Sequence, residues 1–140
     1  MILGIIISCN QQKKSPIEGA WQLVYAKPSS MEESFPGQIT GSDVKFWIDG
    51  CFTFAGTFHL DTLVIDNYGW GTYKLSEGTH YEESIIKYHY SPNLEGQNLE
   101  GQTVKMLIEV RNDTLIQRWP ADENWNLSQK YSTEKYIRLK

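Results

Sequence analysis

Residues 81–90 hold the densest group of side chains that could do chemistry: two glutamates, a lysine, a histidine and three tyrosines. Alternation along a strand would put Glu83 and Tyr88 on opposite faces, and one of these faces must point into the protein. A semi-buried Glu83 would need a cationic partner, for which Arg111 and Arg118 are candidates.

Glu83 has two interpretations. It could contact the polar head group of a ligand, or it could form an internal salt bridge that fixes the strand register, and we favour the salt bridge. General acid–base catalysis would need a second group within reach and a perturbed pKa, so we expect no catalytic residues. The three histidines are scattered and no Cys/His spacing suggests zinc, so we expect no metal and no other cofactor.

The composition favours β-strands. The chain has five Trp, eight Tyr and five Phe, and aromatic residues are enriched in strands. Asp49-Gly50 separates two strand-like runs, residues 44–48 and 51–54, and predicts a tight hairpin with positive φ at both turn residues. The formal net charge is −4 with both signs interspersed, so we expect no nucleic-acid partner.

The strand-like runs follow one another with mostly short links. We therefore predict an all-β fold, an antiparallel up-and-down barrel of about eight to ten strands, because a sandwich would need longer crossovers. The pentapeptide NLEGQ occurs twice in tandem, at 93–97 and 98–102. We interpret it as a duplication tolerated in an exposed hairpin tip.

The inward faces of such a barrel could line a pocket. Aromatic walls with a few polar groups are the usual form of a small-ligand site, whereas a barrel of this size could also be filled by its own side chains. A continuous cavity above ~300 Å³ would favour the ligand. The lumen candidates are Tyr25, Phe46, Phe52, Phe54, Tyr73, Glu83, Tyr88, Met106 and Arg118.

Gly19-Ala20-Trp21, at the start of the first strand, resembles the opening motif of the lipocalins. In that family the tryptophan closes the barrel floor and an arginine from the last strand packs across it. The resemblance implies that Gly19, Trp21 and Arg138 close this barrel.

A wider series of motifs resembles the small lipocalin-like lipoproteins of Bacteroidetes, including the DUF4488 group. It comprises G-x-W at 19–21, K-F-W at 45–47, D-G-x-F at 49–52, G-T-Y at 71–73, Y-E-E-x-I at 81–85 and I-R at 137–138. The resemblance implies a calycin-type barrel on an exported lipoprotein, and it implies no activity.

The N-terminus has an apolar run, residues 2–8, too short to span a bilayer, which needs about 20 residues. Ile6-Ile7-Ser8-Cys9 resembles the lipobox of bacterial lipoproteins, in which a peptidase cuts before a cysteine that then carries lipid. This implies a signal-peptide remnant at 1–8, a lipidated Cys9 with a polar tether at 9–16, and a barrel domain at 17–140. Alternatives are an apolar strand with an ordinary cysteine, or a disulfide between Cys9 and Cys51.

We therefore expect an exported lipoprotein on the periplasmic face or cell surface of a Gram-negative envelope. Its barrel would bind a small hydrophobic or amphipathic ligand, and only the lipid would touch the membrane. The alternative is a non-catalytic cell-envelope interaction or scaffolding module with a filled barrel. The sequence does not indicate a protein partner.

Overall fold

A computed structural model describes residues 14–92 and 98–140. The predicted signal remnant, Cys9 and most of the tether lie outside these ranges, as does the first copy of the pentapeptide. The strands in the described residues are β1 (Gly19–Lys27), β2 (Ile39–Ile48), β3 (Cys51–Leu60), β4 (Leu63–Ser76), β5 (His80–Ser91), β6 (Thr103–Arg111), β7 (Thr114–Ala121) and β8 (Leu127–Arg138). Within the same ranges, no helix is long and apolar enough to cross a bilayer.

The eight described strands form one closed antiparallel barrel in sequential order, and β8 returns to pair with β1. The predicted up-and-down barrel is therefore confirmed. Asp49 and Gly50 form the β2–β3 turn with φ values of 48° and 75°, the positive region that this hairpin requires. Closure leaves the sheet without free edges, through which an aromatic-rich chain could aggregate.

Glycines in β4 make room for the aromatic rings of β3. Phe52 pairs with Gly71 across the strands, and Phe54 pairs with Gly69. A Cβ atom at either glycine would lie 2.9 Å from the facing phenylalanine ring. Because the glycines have no side chain, the two rings can lie across the inner surface of the sheet. They stack nearly parallel, with centres 6.4 Å apart.

One end of the barrel is filled. The Trp21 indole N–H donates to the Ile17 carbonyl at 2.8 Å, and both side chains are fully buried. The Arg138 guanidinium lies 4.2 Å from the centre of the Trp21 ring and donates to the carbonyls of Pro16 and Glu18. These contacts hold the segment before β1 across the barrel, so the described residues close this end.

Gly19 lies at the same end of the barrel. Its φ is 122°, in the region that favours glycine, and a Cβ atom there would lie 3.0 Å from a guanidinium nitrogen of Arg138. A larger residue at this position would displace Arg138 from Trp21.

The face of β2 that points inward differs from the prediction. Lys45 and Trp47 are buried, whereas Phe46 is 45% exposed and Ile48 is 64% exposed. The prediction that Phe46 lines the lumen is therefore wrong. Both faces of this strand carry large apolar residues, and Trp47 pairs across the strands with the buried Phe52, whereas Phe46 pairs with Thr53.

Two other lumen candidates also point away from the interior. The β1–β8 register shifts between Leu23 and Tyr25, and this irregularity leaves Tyr25 38% exposed although Leu23 is buried. In β7 the buried residues are Leu115 and Gln117, so the adjacent Arg118 belongs to the other face of the strand. Tyr25 and Arg118 were therefore wrongly predicted to line the lumen.

Candidate functional site

The end of the barrel away from Trp21 contains two adjacent chambers. The outer chamber has a volume of about 340 Å³. The inner chamber has a volume of about 100 Å³ and lies deeper in the barrel. The residues that line both chambers are Asp43, Asn67, Tyr88, Leu99, Trp119, Glu134 and Tyr136. Because the two chambers share these walls, they lie side by side within the barrel.

The outer chamber has mostly apolar walls. Its apolar lining includes Leu23, Ala26, Met31, Phe35, Ile39, Phe58, Ile65 and Tyr90. The Phe35 and Phe58 rings meet edge to face with centres 5.5 Å apart. The chamber therefore offers an aromatic surface to an apolar group, while the exposed Ser29 and Ser30 form part of its solvent-facing rim.

The link between β1 and β2 covers this chamber. Ala26 and Phe35 exchange two backbone hydrogen bonds, at 2.9 and 2.8 Å. The Ser29 backbone N–H donates to the Ser132 hydroxyl on β8 at 2.9 Å. These bonds fix the link across the barrel end, so the chamber is shaped by ordered backbone on several sides.

A buried ion pair lies between the inner chamber and the filled end. Lys45 Nζ contacts Glu83 Oε1, and both side chains are nearly inaccessible to solvent. Glu83 Oε1 also accepts from the Tyr81 hydroxyl at 2.7 Å, and that hydroxyl accepts from the Trp47 indole N–H at 2.6 Å. Lys45 Nζ lies 5.0 Å from the ring centres of Trp47 and Phe52, close enough for cation–π attraction.

Lys45, and not Arg111 or Arg118, is therefore the cationic partner of Glu83. Glu83 has the structural arrangement that we favoured, an internal salt bridge, while it also lines the inner chamber. Burial raises the pKa of Tyr81 well above its ordinary value, so its hydroxyl remains a hydrogen-bond donor to Glu83.

A second pair of acids, Asp43 and Glu134, faces both chambers. Asp43 Oδ2 accepts from the Asn67 side-chain amide at 3.1 Å. Burial and the nearby Glu134 carboxylate raise the pKa of Asp43 to about 7. Glu134 Oε2 accepts from the Tyr136 hydroxyl at 2.9 Å and from the Gln117 amide, and burial raises the pKa of Glu134 too.

Four of the predicted lumen residues line the inner chamber: Phe54, Glu83, Tyr88 and Met106. Phe52 and Tyr73 lie inside the barrel but belong to its packed core, and they line neither chamber. Tyr25, Phe46 and Arg118 likewise line neither chamber.

The polar lining residues Asp43, Lys45, Gln117 and Glu134 were not among the predicted lumen residues. One usable signal was present, because Asp43 and Lys45 share the face of β2 that carries Trp47. In residues 14–92 and 98–140, no three His, Cys, Asp or Glu side chains are grouped so that they could hold a metal ion.

Removing the buried ammonium should destabilise the fold. We expect Lys45→Met to lower the free energy of unfolding by roughly 3–5 kcal/mol, because Glu83 would then be a buried carboxylate without its cation. Adding Glu83→Gln should recover much of this loss, since the amide keeps an acceptor for Tyr81 without a charge. Urea denaturation of both variants and of Lys74→Met, at an exposed lysine of β4, would test this. If the double variant lost as much free energy of unfolding as Lys45→Met alone, the result would contradict this prediction.

Asp43 should make the stability depend on pH. Its pKa is raised from 3.8 to about 7 in the folded protein, so folded Asp43 keeps a proton that the unfolded chain has released between these values. The contribution of Asp43 to stability therefore falls as the pH rises from about 4 to about 7. We expect Asp43→Asn to increase the free energy of unfolding more at pH 8 than at pH 4, measured by urea denaturation. An equal change at both pH values would contradict this.

Comparison with known proteins supports the assignment of the fold to one family. Residues 16–140 match a family described as a domain of unknown function, DUF4488. This match covers the whole barrel, from the segment before β1 to the end of the chain. A comparison with curated proteins finds no match. The chain therefore belongs to the DUF4488 family.

Proposed function

We propose that this protein is an exported lipoprotein and that it binds a small amphipathic ligand in the two chambers of its lumen. The apolar part of the ligand would lie in the outer chamber, between the β1–β2 link and the aromatic wall. Its polar part would reach the inner chamber, which Asp43 and Glu134 face. The proposal assigns no reaction to the protein.

The cavity is the observation that carries the proposal. Ligand sites are typically clefts of about 300–1,000 Å³, mostly apolar, with a few polar groups that fix orientation. The outer chamber reaches about 340 Å³ and has a mostly apolar lining, while the acidic side chains lie at its inner boundary. A scaffolding module with a filled barrel would not need this space, because its own side chains would occupy it.

Placing a large side chain in the outer chamber should block binding. Ala26 lines this chamber, whereas Ala55 is exposed on the outside of β3. We expect Ala26→Trp to weaken binding of the neutral fluorescent probe N-phenyl-1-naphthylamine by roughly tenfold or more, because the indole would fill the space. Ala55→Trp is the matched control and should bind like the wild type. Absence of probe binding to the wild type, or equal binding by both variants, would contradict the proposal.

The resemblance to the lipobox supports the proposed anchor at Cys9. Protein purified from its own cells should begin at Cys9 and carry acyl chains on it, as measured by intact-mass spectrometry. Cys9→Ser should abolish this added mass and move the protein out of the membrane fraction. An unmodified Cys9 with residues 1–8 still attached would contradict the anchor without affecting ligand binding.

A further inference from the structure

Three buried oxygen atoms around the inner chamber are hydrogen-bond acceptors when Asp43 is ionised. Among the described residues, no donor contacts Asp43 Oδ1, Asn67 Oδ1 or Gln117 Oε1. Asp43 is 5% exposed and Gln117 only 2% exposed, and both line the inner chamber. A buried acceptor without a partner costs about 1–3 kcal/mol, so these atoms favour an occupant that brings hydrogen-bond donors.

The charge of the inner chamber also favours an occupant that donates hydrogen bonds. Its lining holds three carboxylates, Asp43, Glu83 and Glu134, and one cation, Lys45. Lys45 contacts Glu83, so this pair is matched. Among the described residues that line this chamber, no second Lys, Arg or His faces Asp43 and Glu134. When Asp43 and Glu134 are ionised, the site therefore has more acceptors and more negative charge than Lys45 alone can neutralise.

We infer that the ligand carries a protonated amine, which enters the inner chamber and donates hydrogen bonds to Asp43 and Gln117. The apolar tail of the ligand would lie in the outer chamber. This inference rests on the proposed function and names the chemical class of the ligand.

An ammonium group fits the site better than other polar head groups do. It has three donor hydrogens and no acceptor, whereas a hydroxyl group or sugar would also bring lone pairs. A carboxylate or phosphate would be repelled by Asp43 and Glu134. The aromatic rings of Phe54 and Tyr88, with centres 6.0 Å apart, line the same chamber and could add cation–π attraction. Lys45 shows that a buried ammonium is stable among such rings and carboxylates in this barrel.

The inferred site also predicts how affinity changes with pH. Asp43 is faced by Lys45 on its own strand, by Glu83 and Tyr88 on β5, and by Glu134 and Tyr136 on β8. Burial raises the pKa of Tyr88 to about 12 and that of Tyr136 well above its ordinary value, so both keep their protons at neutral pH. An amine should therefore bind more tightly as Asp43 and Glu134 lose their protons.

Three straight-chain ligands of eight carbons test the inference on the wild-type full chain. We expect n-octylamine to displace N-phenyl-1-naphthylamine with an affinity at least about tenfold higher than 1-octanol, and octanoate to bind more weakly than the alcohol. The affinity for octylamine should rise between pH 5.5 and pH 8, where the amine stays protonated. Asp43→Asn should remove most of the preference for octylamine over 1-octanol.

Other results would contradict the inference that the ligand is an amine. Equal affinities for octylamine and octanol, or tighter binding of octanoate, would overturn the inference while leaving the proposed function intact. Failure of the wild type to bind the neutral probe or any of the three ligands would overturn both. Unchanged amine preference in Asp43→Asn and in Glu134→Gln would show that these carboxylates do not recognise the head group.

Discussion

The buried pair of Lys45 and Glu83 is the contact on which the interior of this barrel depends. It joins β2 to β5 across the lumen, and Tyr81 and Trp47 extend it into the filled end. A slip of one residue in β2 would turn Phe46 inward and Lys45 outward, leaving Glu83 buried without a cation. The pair thus fixes which face of β2 points inward, and it marks the boundary between packed core and cavity.

Much of the fold was predictable because its signals are local. The Asp49-Gly50 turn, the short links and the aromatic strands indicated a sequential antiparallel barrel, and the closed barrel has that order. The inward face of β2 was not predictable by the same reasoning. Phe46 and Ile48 on one face are as apolar as Trp47 on the other, so alternation alone did not distinguish them, whereas the buried contact of Lys45 with Glu83 does.

The site was harder to predict than the fold because its polar members lie far apart in the sequence. Asp43, Gln117 and Glu134 come from β2, β7 and β8, and each resembles a surface residue in its local sequence. Their burial follows from barrel closure, which brings β8 beside β1 and places these strands around one lumen. Glu83 was recognisable because it lies on a long aromatic strand, whereas its partner Lys45 required knowledge of the strand register.

Leu99 has a consequence for how the lumen can diversify. It belongs to the second pentapeptide copy, in the link between β5 and β6, and it lines both chambers. Part of the cavity wall is thus supplied by a connecting segment and not by a strand of the barrel. Lengthening or shortening that connection would resize the cavity while the eight strands and their hydrogen bonds stayed as they are, since links accept insertions at small entropic cost. Relatives of this chain could therefore differ in the size of this cavity through this link alone.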